Sequence, residues 1–251
     1  MNSKAIIETT GLTKNYDHQT VVDHLSFRIM EGEVFGFLGP NGAGKTTTLL
    51  MLLGLSEPSE GSVSVCGLDP LRNPKEVKRI VGYLPENVGF YGDMDALQSL
   101  EYVADLNGMQ RKEAREKGLE ALRVVGLTED VYRQQVGTFS RGMKQRLGIA
   151  EVLVKDPKVL FLDEPTLGLD PDGALRLIEL IRSLNRDRNM TVLLSSHDLF
   201  QVQKISDRVG IMIRGHMVAE NSIEALARDK FGVGDEKYTL EEIYMKYFRE
   251  D

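Results

Sequence analysis

The chain has 251 residues and a formal net charge of −7, with 41% hydrophobic and 27% charged residues. These values are typical of a globular protein of one or two domains, and the acidic balance argues against a nucleic-acid partner. The single cysteine, Cys66, excludes an intramolecular disulfide and a cysteine-based zinc site and fits a reducing compartment.

The chain start and its apolar stretches bear on the compartment. Residues 1–8 show no signal-peptide pattern, because an acidic residue follows only two aliphatic ones. The longest apolar stretches, such as residues 49–53, are far shorter than the roughly 20 residues that span a bilayer. We therefore expect a soluble intracellular protein.

The first third of the chain predicts two strands, a loop and a helix. Apolar and polar residues alternate at Leu25, Phe27 and Ile29, which predicts one half-buried strand. A turn then leads into a second strand over residues 34–38. A glycine-rich loop follows, and its apolar continuation over residues 45–53 predicts a buried helix.

The middle of the chain predicts a helical subdomain. After a strand over residues 80–84, residues 95–155 are charged and poor in β-branched runs. Apolar residues recur there at helical spacing, for example at Leu97, Leu100 and Val103. We interpret this stretch as a helical insertion into an α/β core.

The last third predicts a crossover unit of a parallel sheet, followed by smaller elements. Residues 159–162 and 192–194 are unbroken apolar strands, and residues 171–188 between them have helical spacing. Residues 208–213 and 217–219 predict a hairpin. Ser222 is the predicted N-cap of a helix, and residues 239–248 predict another.

The glycine-rich loop matches a phosphate-binding pattern with a strand before it and a helix after it. Glycines let backbone N–H groups turn onto phosphate oxygens, and the helix adds the positive end of its dipole. Lys45 would pair with the β- and γ-phosphates, and the Thr46 hydroxyl would ligate Mg²⁺. The predicted nucleotide-binding residues here are Gly39, Pro40, Asn41, Gly42, Ala43, Gly44, Lys45, Thr46 and Thr47.

Two acidic residues follow the buried strand over residues 159–162. A carboxylate at the end of a buried strand loses solvation free energy unless a cation or hydrogen-bond donors compensate for it. Asp163 is the predicted Mg²⁺ carboxylate, and Glu164 is the predicted residue that polarises the attacking water. Helix capping is the plain alternative for this pair.

At this point the sequence resembles the nucleotide-binding subunits of ATP-binding-cassette (ABC) transporters over nearly all of residues 4–221. The resemblance rests on the phosphate loop, on the acidic pair and on residues 139–146, which look like the family's signature. It also rests on residues 168–171, which look like the D-loop, and on His197, the switch histidine. All five motifs in this order are highly specific.

The resemblance implies a fold and a division of the chain. The expected fold is an α/β P-loop NTPase core with a mainly parallel sheet, an N-terminal antiparallel β subdomain and an inserted α-helical subdomain. The cassette would cover residues 1–221, with the core at about 1–94 and 156–221 and the helical subdomain at about 95–155. Residues 222–251 would form a short helical extension.

The resemblance also implies site roles. Ser140 and Gly142 would meet the γ-phosphate of ATP held by a second nucleotide-binding subunit, identical or paralogous, and Asp170 would bridge the two. His197 would act with Glu164 and Lys45 in hydrolysis. Tyr16 would stack on adenine, with packing at a strand end as the plain alternative.

Two departures from the family pattern stand out. The usual Leu-Ser-Gly-Gly-Gln is Phe-Ser-Arg-Gly-Met, so Met143 replaces the glutamine. Glu86 stands where a glutamine is usual, and beside phosphates a carboxylate must face the metal or turn outward. We therefore include Glu86 with Thr46 and Asp163 among the predicted metal residues. Both departures look like those of ATPases that serve exporter-type membrane subunits.

The expected function is hydrolysis of ATP, with Mg²⁺ as the metal cofactor. The subunit would work at the cytoplasmic face of the membrane and drive a separate permease that exports a substrate. The alternative is a soluble ABC ATPase of translation or DNA repair. One phosphate loop, the lack of a heptad run and eight acids against five bases in residues 222–251 disfavour it. A third class, a small-molecule kinase with a phosphate loop, would not explain the signature residues or Glu164.

Overall fold

Two β-sheets organise the chain in the computed structural model, which describes residues 4–232 and 238–250. Residues 1–3, part of the start used to predict the absence of a signal peptide, lie outside these ranges, as do residues 233–237 and 251 of the predicted extension. Across the described ranges, every helix is too short or too polar to cross a bilayer.

The described part of the chain contains the following strands and α-helices, each numbered in chain order. The strands are β1 (Ala5–Tyr16), β2 (Gln19–Leu25), β3 (Arg28–Met30), β4 (Val34–Leu38), β5 (Glu60–Val65), β6 (Val81–Leu84), β7 (Val159–Asp163), β8 (Thr191–Ser196), β9 (Arg208–Ile213) and β10 (His216–Asn221). The α-helices are α1 (Lys45–Leu52), α2 (Pro74–Ile80), α3 (Ala96–Leu106), α4 (Arg111–Val124), α5 (Arg141–Leu153), α6 (Pro171–Arg188), α7 (Leu199–Ile205), α8 (Ile223–Phe231) and α9 (Leu240–Glu250).

The N-terminal sheet is antiparallel and centres on β1, which pairs with β2, β3 and β5. The single strand predicted across Leu25, Phe27 and Ile29 is wrong, because the chain breaks between β2 and β3. The two short strands pair with successive parts of β1, where Leu12 faces Leu25 and Ile7 faces Ile29. Burial still alternates through the break, which is why the pattern looked continuous.

The second sheet has the order β10-β9-β4-β8-β7-β6 and is parallel except for the β9–β10 hairpin. The predicted crossover unit is β7, α6 and β8, and the predicted hairpin is β9 and β10. Strand β6 begins one residue later than predicted, because Ile80 ends α2. The expected α/β fold with its antiparallel N-terminal sheet is confirmed.

Helices α3, α4 and α5 lie between β6 and β7, as the helical periodicity predicted. They pack on one another, and α5 also packs on β6 and α6. After the sheet, the Ser222 hydroxyl caps α8 by accepting from Ala225 N at 3.2 Å. Helix α9 packs on α7 and α8.

Strand β4 lies at the centre of the sheet and is buried on both faces. Phe35 and Phe37 join the hydrophobic cluster under the N-terminal sheet, whereas Val34 and Leu38 join the cluster under the helices. Gly36 lets α7 approach the sheet closely, since a Cβ there would lie 2.4 Å from Val202 Cγ1 and 2.6 Å from Ser206 Oγ. The close approach sets how near the middle and the C-terminal end of α7 lie to β4.

Gly36→Ala is expected to lower the free energy of unfolding by about 1–3 kcal/mol, because an added methyl in a packed core forces its neighbours to shift. Urea denaturation measures the change. Gly89→Ala is the control, since nothing lies within 4 Å of a Cβ at Gly89, and it should keep or raise stability. Equal effects of the two substitutions would contradict the close approach of α7.

Candidate functional site

The glycine-rich loop between β4 and α1 is shaped by close backbone approaches. A Cβ at Gly39 would lie 2.2 Å from Met212 O, and one at Gly44 would lie 2.5 Å from Val21 O. Gly44 also has a φ of +102°, which side-chain-bearing residues rarely adopt. Only glycine therefore fits at these two positions, and the loop closes over the start of α1.

The Lys45 side chain lies inside this loop and is 6% exposed. Its Nζ donates to Gly39 O at 2.7 Å and lies 3.3 Å from Pro40 O. The same Nζ is 3.5 Å from Glu164 Oε1. A buried ammonium is thus held at the centre of the loop, where phosphate oxygens would replace the carbonyl contacts.

Asp163, the last residue of β7, is almost completely buried. Its Oδ2 accepts from Thr46 Oγ1 at 2.9 Å, and its Oδ1 accepts from Ser195 Oγ at 2.5 Å. Hydrogen bonds to an ionised acceptor are short and strong. The carboxylate therefore ties together α1, β7 and β8.

Glu164 follows with an unusual backbone conformation, a φ of +47°. Its N–H donates to both the carbonyl oxygen and Oγ of Ser195, each at 3.1 Å. Its Oε1 is buried and accepts no hydrogen bond from any residue that the structure describes. Strained backbone at a non-glycine residue persists where the surroundings fix it, as they often do at functional sites.

His197 lies between β8 and α7, where Asp198 caps α7 by accepting from Gln201 N at 3.1 Å. Its Nδ1 is 2.9 Å from Glu164 Oε2, and its side chain is 46% exposed. The imidazole thus covers the buried carboxylate from the solvent side. The structure brings together all three residues predicted to act in hydrolysis.

Sequence reasoning missed two residues that support this arrangement. Ser195 is fully buried and bonds to both carboxyl residues, as described above. Its signal was a polar side chain at the end of a buried strand, the same signal that indicated Asp163. Gln145 is also buried, and its Nε2 donates to Pro165 O at 2.8 Å, which joins α5 to the chain just after Glu164.

The signature residues lie elsewhere, around a polar cavity of about 270 Å³ that none of residues 39–47 lines. Ser140 caps α5 by accepting from Met143 N at 3.2 Å. Ser140, Gly142 and Asp170 line the cavity together. Three arginines also line it: Arg141, Arg146 and Arg176. Asp170 and Asp172 line it as well, and Asp172 pairs with Arg176, so the lining carries only a small net positive charge. The cavity is separate from the chain's own phosphate loop.

Tyr16 and Glu86, two further predicted site residues, are both partly exposed to solvent. Tyr16 ends β1 and is 47% exposed, with Lys14 Nζ 4.9 Å from its ring centroid. Glu86 is half-buried, and its side chain makes no hydrogen bond or ion pair with any described residue. Burial, with added repulsion from the Asp163 and Glu86 carboxylates, raises the pKa of Tyr83 to about 12.

Thr46 and Asp163 offer hard oxygen ligands of the kind Mg²⁺ prefers. Among the described residues, no three His, Cys, Asp or Glu side chains form a group that could hold a metal alone. Mg²⁺ is usually bound by one or two carboxylates together with substrate phosphates. The residues present therefore fit a nucleotide-bound Mg²⁺ rather than a resident metal.

Comparison with known proteins identifies similar chains. Residues 22–167 match the family described as "ABC transporter". The bacitracin transport ATP-binding protein BcrA of Bacillus licheniformis is 44% identical over 223 residues, which cover 89% of this chain and 72% of that protein.

Two solved structures are also similar. An ATP-binding subunit of an ABC transporter is 28% identical with a TM-score of 0.84, and the match covers 97% of this chain and 99% of that one. A bacterial ABC transporter cassette solved as a dimer is 25% identical with a TM-score of 0.77, covering 86% and 98%.

Lys45→Ala is expected to abolish ATP hydrolysis and to weaken ATP binding strongly, because this buried ammonium alone occupies the loop. Isothermal titration with ATP and a phosphate-release assay measure the two effects. Lys112→Ala is the control, because Lys112 is exposed on α4 and forms no hydrogen bond or ion pair with any described residue, and it should change neither. Near-normal turnover of Lys45→Ala would contradict the phosphate-loop assignment.

Proposed function

We propose a transport cycle for this chain, which belongs to the ABC transporter family and is one of its ATP-hydrolysing subunits. In this cycle, two nucleotide-binding subunits close on two ATP molecules and drive a separate permease at the cytoplasmic face of the membrane. The observation that carries the proposal is the buried Glu164 carboxylate, with Lys45 next to its Oε1 and His197 next to its Oε2.

Glu164 is the residue that we assign to the attacking water. Its Oε1 is buried, lacks a hydrogen-bond donor and lies 3.5 Å from Lys45 Nζ, so a water there would donate to it. His197 holds the other oxygen, Oε2, at 2.9 Å and so fixes the direction of the carboxylate. Positioning and electrostatic stabilisation supply most of the catalysis in phosphoryl transfer.

Thr46 and Asp163 are the residues that would hold Mg²⁺, with Glu86 as a further candidate. Bound there, the ion would neutralise charge on the β- and γ-phosphates. In the chain by itself, Thr46 Oγ1 donates to Asp163 Oδ2 at 2.9 Å, which keeps both oxygens at one place. Ser195 Oγ donates to the second oxygen, Oδ1, and so keeps the Asp163 carboxyl group oriented.

The cavity lined by Ser140, Gly142 and Asp170 is the surface that we assign to the second subunit. It joins the N-terminus of α5 to arginines, which together favour an anion. The chain's own phosphate loop does not line it, so the γ-phosphate must come from another subunit. A similar cassette solved as a dimer supports this assignment. Tyr16, half-exposed at the end of β1, would stack on the adenine.

The segment from Glu86 to Met94 is our candidate contact for the permease. It borders an open groove of about 520 Å³ between β6, α3 and α5, lined largely by apolar side chains. Large apolar side chains are exposed in this segment and around the groove. Tyr91 in the segment is 59% exposed, Leu55 in the groove lining is 54% exposed, and Leu106, next to the lining residue Asn107, is 68% exposed. Exposed apolar surface of this kind marks interaction sites.

Export is the direction that we propose, because Glu86 and Met143 stand at the two positions where the family usually has glutamine, as in ATPases of exporter-type systems. The relative BcrA of Bacillus licheniformis is named for bacitracin transport. We also propose that the cassette comprises residues 1–221, with the helical subdomain at about 95–155 and an extension at 222–251. In the described part of that extension, α9 packs on α7, the helix that follows His197.

His197→Ala should cut ATP turnover about 10²–10³-fold, as the loss of a positioned polar group does in other active sites. Binding of ATP should stay largely intact, because the phosphate loop is unchanged. Fluorescence titration with ATP and with ADP, beside a turnover assay, separates the effects. His18→Ala, at an exposed position, is the control. Equal losses of ADP and ATP affinity would argue against this role.

Glu164→Gln should lower hydrolysis by about 10²–10⁴-fold, because it removes a positioned base and keeps the side-chain shape. ATP should bind at least as well, since one negative charge near the γ-phosphate is lost. The variant should elute from size exclusion as a dimer with ATP and Mg²⁺ and as a monomer with ADP.

Adding Ser140→Arg to Glu164→Gln should block this dimer and leave ATP bound to the monomer. Thr128→Arg, which places the same charge at an exposed position, is the matched control and should leave the dimer intact. A double variant that still forms a dimer with ATP would show that the cavity lined by Ser140, Gly142 and Asp170, the signature cavity, does not contact a second subunit.

A further inference from the structure

The groove beside Glu86 contains one acidic side chain, Glu151, in an otherwise apolar and basic lining. Glu151 lies on the part of α5 that also contributes Gly148 and Val152 to the groove lining, and Lys155 lines the groove just past the end of the helix. It is 11 residues past Ser140, which at about 1.5 Å per residue places it roughly 16 Å along the helix from the signature cavity. Glu151 therefore belongs to the docking face and not to the ATP site.

The Glu151 carboxylate has no hydrogen-bond or ion-pair partner in the described part of the chain. Burial raises its pKa to about 7, although the positive charge of Lys155 works in the opposite direction. Lys155, four residues further along the chain and just past the end of α5, is the nearest candidate for an ion pair that would stabilise this carboxylate. Here that pair is absent.

Lys155 does not pair with Glu151 because it is already engaged. Its Nζ donates to Lys78 O at 2.7 Å, near the C-terminus of α2, where a cation is favoured by the helix dipole. Lys78 itself is exposed at the edge of the groove. The two lysines are thus a helix cap and a solvated surface charge, and Glu151 is the group without a partner.

Docking of any segment in the groove would remove the remaining water from Glu151. A buried carboxylate without a partner is strongly unfavourable, so an apolar segment covering it would bind poorly. A lysine or arginine would supply both the charge and the donors, while apolar neighbours on the same segment would cover the valine and leucine lining. Charge complementarity therefore specifies the occupant.

We propose that Glu151 is the receptor for a lysine or arginine side chain on the cytosolic segment of the permease that docks in this groove. The inference rests on the proposed docking of a permease and adds the chemistry that selects it. Removing a charge at the rim of an interface mainly changes the association rate and its salt dependence, whereas removing one partner of a desolvated charge pair changes how long the two proteins stay bound.

Retention of the tagged chain on membranes of its own cells tests the inference, with carbonate-free washes and quantitative blotting. Glu151→Gln should reduce the retained fraction about tenfold or more, and Glu151→Lys should reduce it further. Glu179→Gln and Glu179→Lys, at an exposed position in α6, are matched controls and should be retained like the parent chain. The basal ATPase activity of the free chain should be unchanged in all four variants.

Glu151→Met separates docking from folding. Because it removes an unpaired, partly buried charge, it should keep or raise the melting temperature and still reduce retention. If the melting temperature and the retained fraction both fall, Glu151 acts on the stability of the fold, and the inference is overturned.

Charge exchange identifies the partner group. In the Glu151→Lys background, each lysine and arginine of the permease's cytosolic segments is replaced by glutamate in turn, and one replacement should restore retention. If the Glu151 variants are retained like the parent, or if no replacement restores Glu151→Lys, the inference is wrong while permease docking stands. If the parent chain itself is not retained on membranes, the proposed docking fails as well.

Discussion

Two adjacent carboxylates at the end of a buried strand are the constraint on which the rest of this structure depends. Charges so placed are stable only when donors from other elements reach them. Thr46 from α1 and Ser195 from β8 satisfy Asp163, and Lys45 and His197 flank Glu164. These partners come from α1, β8 and the segment after β8, so the parallel register of β4, β8 and β7 is what brings the site together.

The same constraint distinguishes the fixed part of the site from the part that is free to respond. Asp163 has both oxygens bound and lies under the loop, whereas Glu164 has one oxygen without a donor and a left-handed backbone. His197 is nearly half exposed and stands next to α7, whose position depends on Gly36. With the roles that we propose, a fixed Mg²⁺ carboxylate at Asp163 beside a base with an unsatisfied oxygen at Glu164 would suit a site that binds first and reacts after closure.

The sequence predicted most of this site because its chemistry needs particular residue types at fixed places. The phosphate loop, the two acids and the histidine each follow a strand that could be recognised by its apolar run. Two features escaped prediction because they depend on register and long-range contact. The β2–β3 break keeps the alternation of a single strand, and Ser195 gains its role only because β8 lies beside β7. Propensity and period do not contain that information.

The signature cavity explains why closure should depend on the nucleotide and not on apolar area. Arg141, Arg146 and Arg176 line it together, and burial with repulsion from Arg176 lowers the pKa of Arg146. Asp172 pairs with Arg176, so the small net positive charge at this helix N-terminus comes from Arg141 and Arg146. In the proposed dimer this charge would oppose the approach of a second subunit that brings no anion. In that proposed dimer, a triphosphate carried by the second subunit would supply the anion that this cavity lacks, and hydrolysis would weaken the attraction again. Each nucleotide site would then be complete only in the dimer, because the phosphate loop of one subunit would hold the nucleotide that the signature cavity of the other binds.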